Sequence, residues 1–355
     1  MGDGTANMPR GRGSGKVRRG APPIQRPQER PMRGRPGEAR HYAALDLGTN
    51  NCRLLIARPQ GSGFAVVDAF SRIVRLGEGL ATSGRLSDAA IERTIAALRI
   101  CAEKLKRRNV TLARSVATEA CRQASNGTEF IERVYRETGI ALDIITAEEE
   151  ARLAVLGCHA LLEPGDGPAL VFDIGGGSTE LVLVDSRGGD VPRILDWHSA
   201  PWGVVSLTEA SGDAETAEDR AALYAGMRAR VAESFAPFAK RLRPPRGTRR
   251  LLGTSGTVTT LASVHLGLAA YDRSVVDGLI VPAPAMREVS QRISGMSMAE
   301  RSQVPCIGSE RADLVVAGCA ILETILDLWP AERLGIADRG IREGILRRLI
   351  NGRIL

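Results

Sequence analysis

The chain has 355 residues, 43% of them hydrophobic, which suits roughly two domains with buried cores. The formal net charge of +7 lies in residues 1–40, where ten Lys and Arg outweigh three Asp and Glu, so the remainder is neutral. The neutral charge of residues 41–355 argues against nucleic-acid binding by this part of the chain. The most apolar stretch, 314–329, is broken by two acidic residues, so no membrane span is predicted.

Two further features concern the cellular compartment and the N-terminal tail. The six cysteines show no C-x-x-C spacing, and no signal peptide precedes them, which predicts free thiols in a reducing cytoplasm. Residues 1–40 are rich in Gly, Pro and Arg without apolar periodicity, so we expect a disordered tail. We favour a solvated extension; the alternative is an arm with weak contacts to RNA, polyphosphate or anionic surfaces.

Apolar periodicity and capping residues predict alternating strands and helices in the first half. Ser87 suits an N-cap, Gly139 suits the residue after a helix, and Thr146 with Glu149 suits a capping box. In chain order we predict strands at 42–46, 52–57, 64–68, 115–118 and 140–145, and helices at 87–109, 128–138 and 146–162.

The second half repeats the alternation. Thr216 suits an N-cap, and Pro237 is expected to end or kink the helix that follows it. We predict strands at 169–172, 180–185 and 250–253, helices at 216–240 and 258–265, a long helix within 305–329, and a last helix opening at 338–344.

The sequence DIGGGSTE at 173–180 lies between two of these strands. A tight turn of glycines exposes backbone N–H groups, and phosphate oxygens suit such a concavity. A Walker loop would need a Lys and a following helix, and both are missing here. The alternative, a mobile glycine linker, is disfavoured because strands bound the turn on both sides.

The hairpin has an earlier counterpart. ALDLGTNNCRLLIA at 44–57 aligns with VFDIGGGSTELVLV at 171–184, with Asp46 on Asp173 and Gly48 on Gly175. Two copies of one hairpin predict two similar α/β domains, 41–152 and 153–355, that share a cleft. The stretch TSGT at 254–257 adds a glycine turn before a helix, which is a third anion-binding geometry.

A cleft built in this way suits phosphoryl transfer. Asp173 and Glu180, with Asp46 as a further candidate, could hold Mg²⁺ through carboxylate oxygens. Arg122 could clamp a phosphate, although a loose surface ion pair is an equal alternative. A base is sought among Glu148–Glu150, where first-turn carboxylates are also explained by the helix dipole. The predicted phosphate-binding residues are Gly48, Thr49, Asn50, Asn51, Gly175, Gly176, Gly177, Ser178, Thr179, Ser255, Gly256 and Thr257.

These motifs resemble the exopolyphosphatase and guanosine pentaphosphate phosphohydrolase (Ppx/GppA) family, within the actin, Hsp70 and sugar-kinase superfold. They occur in family order from residue 41: the two hairpins, RLGEGL at 75–80, VATEACRQA at 116–124, EEEARLAVLG at 148–157, LLGTSGTVTTLA at 251–262, ERADLVVAG at 310–318 and DRGIREG at 338–344.

The resemblance implies duplicated actin-like (ribonuclease H-like) domains around a cleft. It implies Mg²⁺-dependent removal of the terminal phosphate of polyphosphate or of the 5′ γ-phosphate of pppGpp, with polyphosphate favoured. It assigns the catalytic carboxylate to Glu150, phosphate positioning to Arg122, and the metal side to Asp173, Ser178 and Glu180.

Two departures from the family pattern are present. Asn51 stands where the family often has Ser, and the C-terminal helical domains with a histidine–aspartate signature are missing, so processivity on long chains is not expected. Two other functions stay open, an actin-like kinase or ATPase and a non-catalytic binder acting through the tail. Turnover of tripolyphosphate without nucleotide would exclude the first, and unchanged affinity after deletion of 1–38 would exclude the second. A homodimer is one option for the assembly, and no membrane partner is expected.

Overall fold

The computed structural model describes Met1 and residues 40–187, 191–242 and 249–352. The prediction of a disordered tail therefore concerns residues almost wholly outside the described part. The strands are β1 His41–Leu47, β2 Asn51–Gln60, β3 Gly63–Ile73, β4 Val110–Ala117, β5 Leu142–Ile144, β6 Pro168–Ile174, β7 Thr179–Asp185, β8 Arg193–Ala200, β9 Arg250–Thr254, β10 Ile280–Pro282 and β11 Arg333–Ala337.

Helices connect and cover these strands. They are α1 Leu80–Ser83, α2 Asp88–Arg107, α3 Glu119–Gln123, α4 Gly127–Thr138, α5 Ala147–Cys158, α6 Val204–Ser211, α7 Ala217–Arg241, α8 Gly256–His265, α9 Arg273–Val276, α10 Ala283–Gly295, α11 Met298–Gln303, α12 Val315–Leu328 and α13 Ile341–Ile350.

The strands form two sheets with the same core order. The first reads β3-β2-β1-β4-β5, and the second reads β8-β7-β6-β9-β11 with β10 added at its edge. In each sheet the first three strands are antiparallel neighbours, and the remaining core strands run parallel to the central one. The predicted duplication of an α/β domain is thus confirmed at the level of topology.

The predicted caps are formed in most places. Ser87 accepts a hydrogen bond from the backbone N–H of Ala90, and Thr146 accepts one from Glu149. The capping box at Thr146 is only half made, because the Glu149 carboxylate accepts from Arg114 at 2.5 Å instead. Helix α5 also ends at Cys158, and a 3₁₀ turn at His159–Leu161 replaces its predicted last turn.

Other predicted boundaries were wrong. Pro237 does not end α7, which continues to Arg241, and the kink expected there as the alternative stays a prediction. Helix α2 stops at Arg107, and Asn109 beyond it takes a left-handed φ of 48°. Strand β8 was missed because its sequence RILDWHSA carries no clean alternation of apolar and polar residues.

Helix α5 lies between the two sheets. Leu153 and Ala154 join a buried cluster with the first sheet, whereas Ala151 and Val155 join one with the second. The opposite face of the first sheet is covered by α2 and α4, and that of the second by α7, α8, α10 and α12. The predicted domain boundary at 152 and 153 falls within α5 and stays a prediction.

Helix α13 follows the second sheet along the chain and packs on the first. Ile345 and Leu346 are fully buried against β1, β2 and α5, which stabilises this docking by roughly 1.5–3 kcal/mol per side chain. Helices α5 and α13 approach closely, since a Cβ on Gly344 would lie 2.1 Å from the carbonyl oxygen of Leu153. Among helices of the described ranges, none combines the length and apolar character that a membrane span requires.

Candidate active site

The turns of the two hairpins are closed by the same backbone hydrogen bond. After β1, the N–H of Gly48 donates to the carbonyl of Asn51 at 2.9 Å. After β6, the N–H of Gly175 donates to the carbonyl of Ser178 at 2.9 Å. The sequence alignment of the hairpins therefore extends to individual hydrogen bonds.

The two turns face each other in close contact. A Cβ on Gly176 would lie 3.0 Å from the backbone nitrogen of Asn50, and one on Gly177 would lie 2.6 Å from Oγ1 of Thr49. Neither glycine has a positive φ. These positions therefore need glycine for close approach between the two domains, and left-handed backbone is not the reason.

A third backbone segment meets them at the start of α8. Ser255, between β9 and α8, has a φ of 100°, which is strained for a residue with a side chain. Its hydroxyl is buried and has no hydrogen-bond partner among the described residues. The Ser255 hydroxyl and the backbone N–H groups at the N-terminus of the ten-residue helix α8 can both donate hydrogen bonds to an anion.

The three segments line one cavity of about 150 Å³. Glu150 and Asp46 from the first half of the chain and Asp173 from the second also line it. Every predicted phosphate-binding residue except Thr179 is part of this lining, namely Gly48, Thr49, Asn50, Asn51, Gly175, Gly176, Gly177, Ser178, Ser255, Gly256 and Thr257.

Thr179 is turned away from the cavity. It is fully buried, and its hydroxyl donates to the carbonyl oxygen of Trp202 at 2.6 Å. Ser178, just before β7, lines the cavity, whereas Thr179, the first residue of that strand, points away from it. Thr179 is therefore left out of the function proposed below.

Glu150 is the one member of its triplet that faces the cavity. Glu148 pairs with Arg152 at 2.7 Å and Glu149 pairs with Arg114, both outside the lining. Only 8% of Glu150 is exposed, and its carboxylate accepts from Nη1 of Arg122 at 2.7 Å.

The surroundings of Glu150 favour its protonated form. Burial raises its pKa well above the usual value, and the nearby Glu180 carboxylate adds to this effect. The Arg122 guanidinium opposes both through its charge and its hydrogen bond. Arg122 is therefore the group that stabilises the ionised form that a base requires.

The other carboxylates are also desolvated. Burial raises the pKa of Asp173 to about 6, with help from Asp46, and burial raises the pKa of Asp46 against the pull of Arg53. Glu180 lies behind the lining, where its Oε1 accepts from the hydroxyls of Ser178 at 2.7 Å and Ser199 at 3.0 Å. Its pKa is raised by burial and then by Asp173.

These buried carboxylates could bind a divalent cation together with other ligands. Within the described residues, no three His, Cys, Asp or Glu side chains lie close enough to bind one alone. Oδ1 of Asp46 is buried without a hydrogen-bond partner among the described residues. Mg²⁺ commonly takes one or two carboxylates and completes its shell with water and substrate phosphate. Asp46 and Asp173, one from each hairpin, fit that requirement.

Four arginines that line the cavity were not predicted as site residues: Arg53, Arg311, Arg339 and Arg342. All four lie in motifs already quoted for the resemblance, where no role was assigned to them. The signal that could have found them is the charge itself, since a cleft for polyanions needs cations that the glycine loops do not supply.

Two copies of one strand order, each placing a hairpin turn against a shared cleft, define the actin-like class of folds. The sequence profile of the Ppx/GppA phosphatase family matches residues 55–352. The chain belongs to this family, and the resemblance inferred from its motifs is confirmed.

Individual relatives agree with this assignment. The chain is 34% identical over 319 residues to exopolyphosphatase 2 of Mycobacterium tuberculosis, covering 85% of this chain and 96% of the relative. It is 31% identical to a guanosine-5′-triphosphate,3′-diphosphate pyrophosphatase of Aeromonas salmonicida, covering 87% of this chain but 59% of that protein. The crystal structure of the Aquifex aeolicus family member superposes with a TM-score of 0.72 at 29% identity, covering 90% of this chain and 100% of that one.

Proposed function

We propose that the protein is an exopolyphosphatase that releases orthophosphate from the end of inorganic polyphosphate by attack of water on the terminal phosphoanhydride. The observation that carries this proposal is the place of Glu150, a buried carboxyl with a raised pKa that faces two glycine turns across one cavity. The similarity to the mycobacterial exopolyphosphatase over 96% of its length supports it.

In the proposed reaction, backbone N–H groups of the two turns and of the start of α8 hold the oxygens of the terminal phosphate. Glu150 orients a water molecule and accepts its proton as the new P–O bond forms. The bond between the terminal phosphorus and the bridging oxygen breaks, and the shortened chain leaves with the electron pair. Arg122 holds Glu150 in place and neutralises charge beside it.

We further propose that Mg²⁺ binds here. Asp46 and Asp173 would hold it, and the ion would neutralise charge on the phosphate oxygens. Of the other two predicted ligands, Ser178 lines the cavity, whereas Glu180 lies behind it and would orient Ser178. The hydroxyl of Ser178 is engaged by Glu180, which leaves its oxygen lone pairs free to accept or ligate.

Removal of the 5′ γ-phosphate of pppGpp is the second candidate, since the same anhydride is cleaved. Relatives named for guanosine substrates support it, yet this chain spans 59% of the length of the Aeromonas protein. No aromatic side chain is found among the described residues that line the cavity, so a stacking surface for a guanine is missing from that part. We therefore favour polyphosphate.

We also propose a reducing, cytoplasmic setting. All six cysteines are free thiols, and five of them are buried. Burial raises the pKa of Cys158 and of Cys121, which makes these thiols unreactive structural residues.

The test is phosphate release by purified protein from tripolyphosphate, long polyphosphate, pppGpp and ATP, compared side by side with Mg²⁺ and with a chelator. We expect turnover of the inorganic substrates without nucleotide, and turnover lowered by orders of magnitude in Glu150→Gln. A preference for pppGpp would favour the second candidate, and turnover of ATP alone would point to an actin-like ATPase.

A further inference from the structure

The guanidinium of Arg122 is already occupied. Its Nη1 donates to Glu150 at 2.7 Å and to the carbonyl of Ile145 at 2.9 Å. Its Nε donates to Oε2 of Glu119 at 2.9 Å, and its Nη2 donates to the same oxygen. Four of the five N–H groups of an arginine are thereby engaged.

The side chain of Glu119 lies at the cavity. It is the first residue of α3, it lines the cavity, and Arg122 is absent from that lining among the described residues. A Cβ placed on Gly177 would lie 3.0 Å from Cγ of Glu119, so this side chain packs on the turn of the second hairpin. Its other oxygen, Oε1, accepts from the side-chain amide of Gln123.

A carboxylate and a phosphate can accept from the same edge of a guanidinium. Glu119 holds the Nε and Nη2 edge of Arg122 through Oε2 alone. We propose that Glu119 competes with the terminal phosphate of the substrate for Arg122. The guanidinium is then released to the phosphate only when a strongly charged anion displaces the carboxylate. This inference rests on the proposed function, and it makes Glu119 a residue that sets affinity and anion selectivity by acting through Arg122.

Competition of this kind weakens binding of substrate and product alike. Arg122 is paired with two carboxylates, so Glu119 places an additional negative charge beside the guanidinium that an entering phosphate would contact. Glu119→Gln removes one negative charge and keeps an oxygen that can accept from Arg122. We expect the KM for tripolyphosphate and the inhibition constant of orthophosphate to fall roughly tenfold, with kcat changed by less than about threefold.

A residue that merely positions Arg122 would give the opposite pattern. Glu119→Gln would then lower kcat and leave the KM unchanged or higher, and that result would overturn the proposal. Glu119→Asp retains the charge but withdraws it by one methylene, so we expect a smaller fall in KM. This second variant keeps the test decisive if the first one folds poorly.

The experiment uses the full-length protein with Mg²⁺ and inorganic phosphate as the probe. Titration calorimetry with orthophosphate is run beside the kinetics for the wild type, both Glu119 variants and Glu132→Gln, an exposed carboxylate on α4 that controls for net charge. If the wild type released no phosphate from tripolyphosphate, the proposed function would fail. Calorimetry would still decide the role of Glu119, since unchanged orthophosphate affinity in Glu119→Gln contradicts the competition.

Discussion

The hairpin β1–β2 and the hairpin β6–β7 share the hydrogen bond that closes the turn and differ in charge at the matched position near it. Asp46 pairs in register with Arg53 across the first hairpin, and Asp173 pairs with Glu180 across the second. The aspartate is thus common to both, whereas its partner is a cation in one copy and an anion in the other. The charge of Arg53 opposes the burial that raises the pKa of Asp46 and of Asp173. The charge of Asp173 adds to the burial that raises the pKa of Glu180.

The difference shows how a duplicated fold supplies two parts of one site. The turn geometry is retained in both copies, because backbone N–H groups bind anions regardless of the side chains around them. The exchange of Arg for Glu separates the copies into a cationic hairpin and an acidic one. The comparison predicts a shared effect on metal binding for the matched aspartates and different electrostatic effects where the charges of the two hairpins differ.

The largest effect is expected at Glu150, which lies between the hairpins and belongs to neither. Glu150→Gln should lower kcat by about 10²–10⁴-fold, because the amide accepts no proton from water. Binding of tripolyphosphate by calorimetry should persist. Retained turnover would show that another group accepts the proton and that this carboxyl is structural.

Asp173 should affect stability with a defined dependence on pH. Its folded pKa of about 6 exceeds its usual 3.8, so the stability it contributes is present below about pH 3.8 and is lost as pH rises through 6. Asp173→Asn should therefore stabilise the metal-free protein by up to about 3 kcal/mol at pH 8 and by little at pH 4. Chemical denaturation at the two pH values measures this.

Asp68 provides a control of opposite sign. The hydrogen bond from Lys104 is the main cause that lowers its pKa to about 2, so its contribution is present above the usual 3.8 and is lost as pH falls towards 2. Asp68→Asn should destabilise the protein at neutral pH. If Asp68→Asn and Asp173→Asn changed the stability in the same direction at neutral pH, the raised pKa assigned to Asp173 in the cleft would be wrong.

The two hairpins should also share the metal. Asp46→Asn and Asp173→Asn are each expected to raise the Mg²⁺ concentration for half-maximal activity by at least about 10–100-fold, the loss typical even for outer-shell partners. Metal titrations of phosphate release measure it. An unchanged titration in either variant would remove that carboxylate from the proposed ligands.

The smallest effect concerns the glycines of the turns. Gly48→Ala should be nearly neutral, since the nearest atom to its new Cβ would lie 3.6 Å away, an ordinary contact. Gly176→Ala should cost about 1–3 kcal/mol and raise the KM, because the new methyl group meets the backbone of Asn50. Equal thermal unfolding of the two variants would mean that the turns separate freely in solution.

The turns and their pairing could be predicted because glycine spacing and strand alternation act locally. Glu150 could not be chosen from its sequence context, since first-turn carboxylates are common and Glu148 and Glu149 look the same until their arginine partners are known. The placement of Arg342 depends on α13 returning to the first sheet, which is a tertiary event. Thr179 was assigned wrongly because the predicted strand began at Glu180, whereas β7 begins at Thr179, so strand periodicity was not applied to it.

The return of α13 also affects the order in which the protein is built. Residues 341–350 complete the buried cluster around Ala44, Leu55 and Val116, yet the ribosome makes them about 190 residues after α5 begins. At roughly 5–20 residues per second, the first sheet waits about 10–40 s with one apolar face unfinished. During that interval the nascent chain contains the first hairpin but not α13, which packs on it. We therefore expect chaperones to bind this apolar face before the last helix emerges.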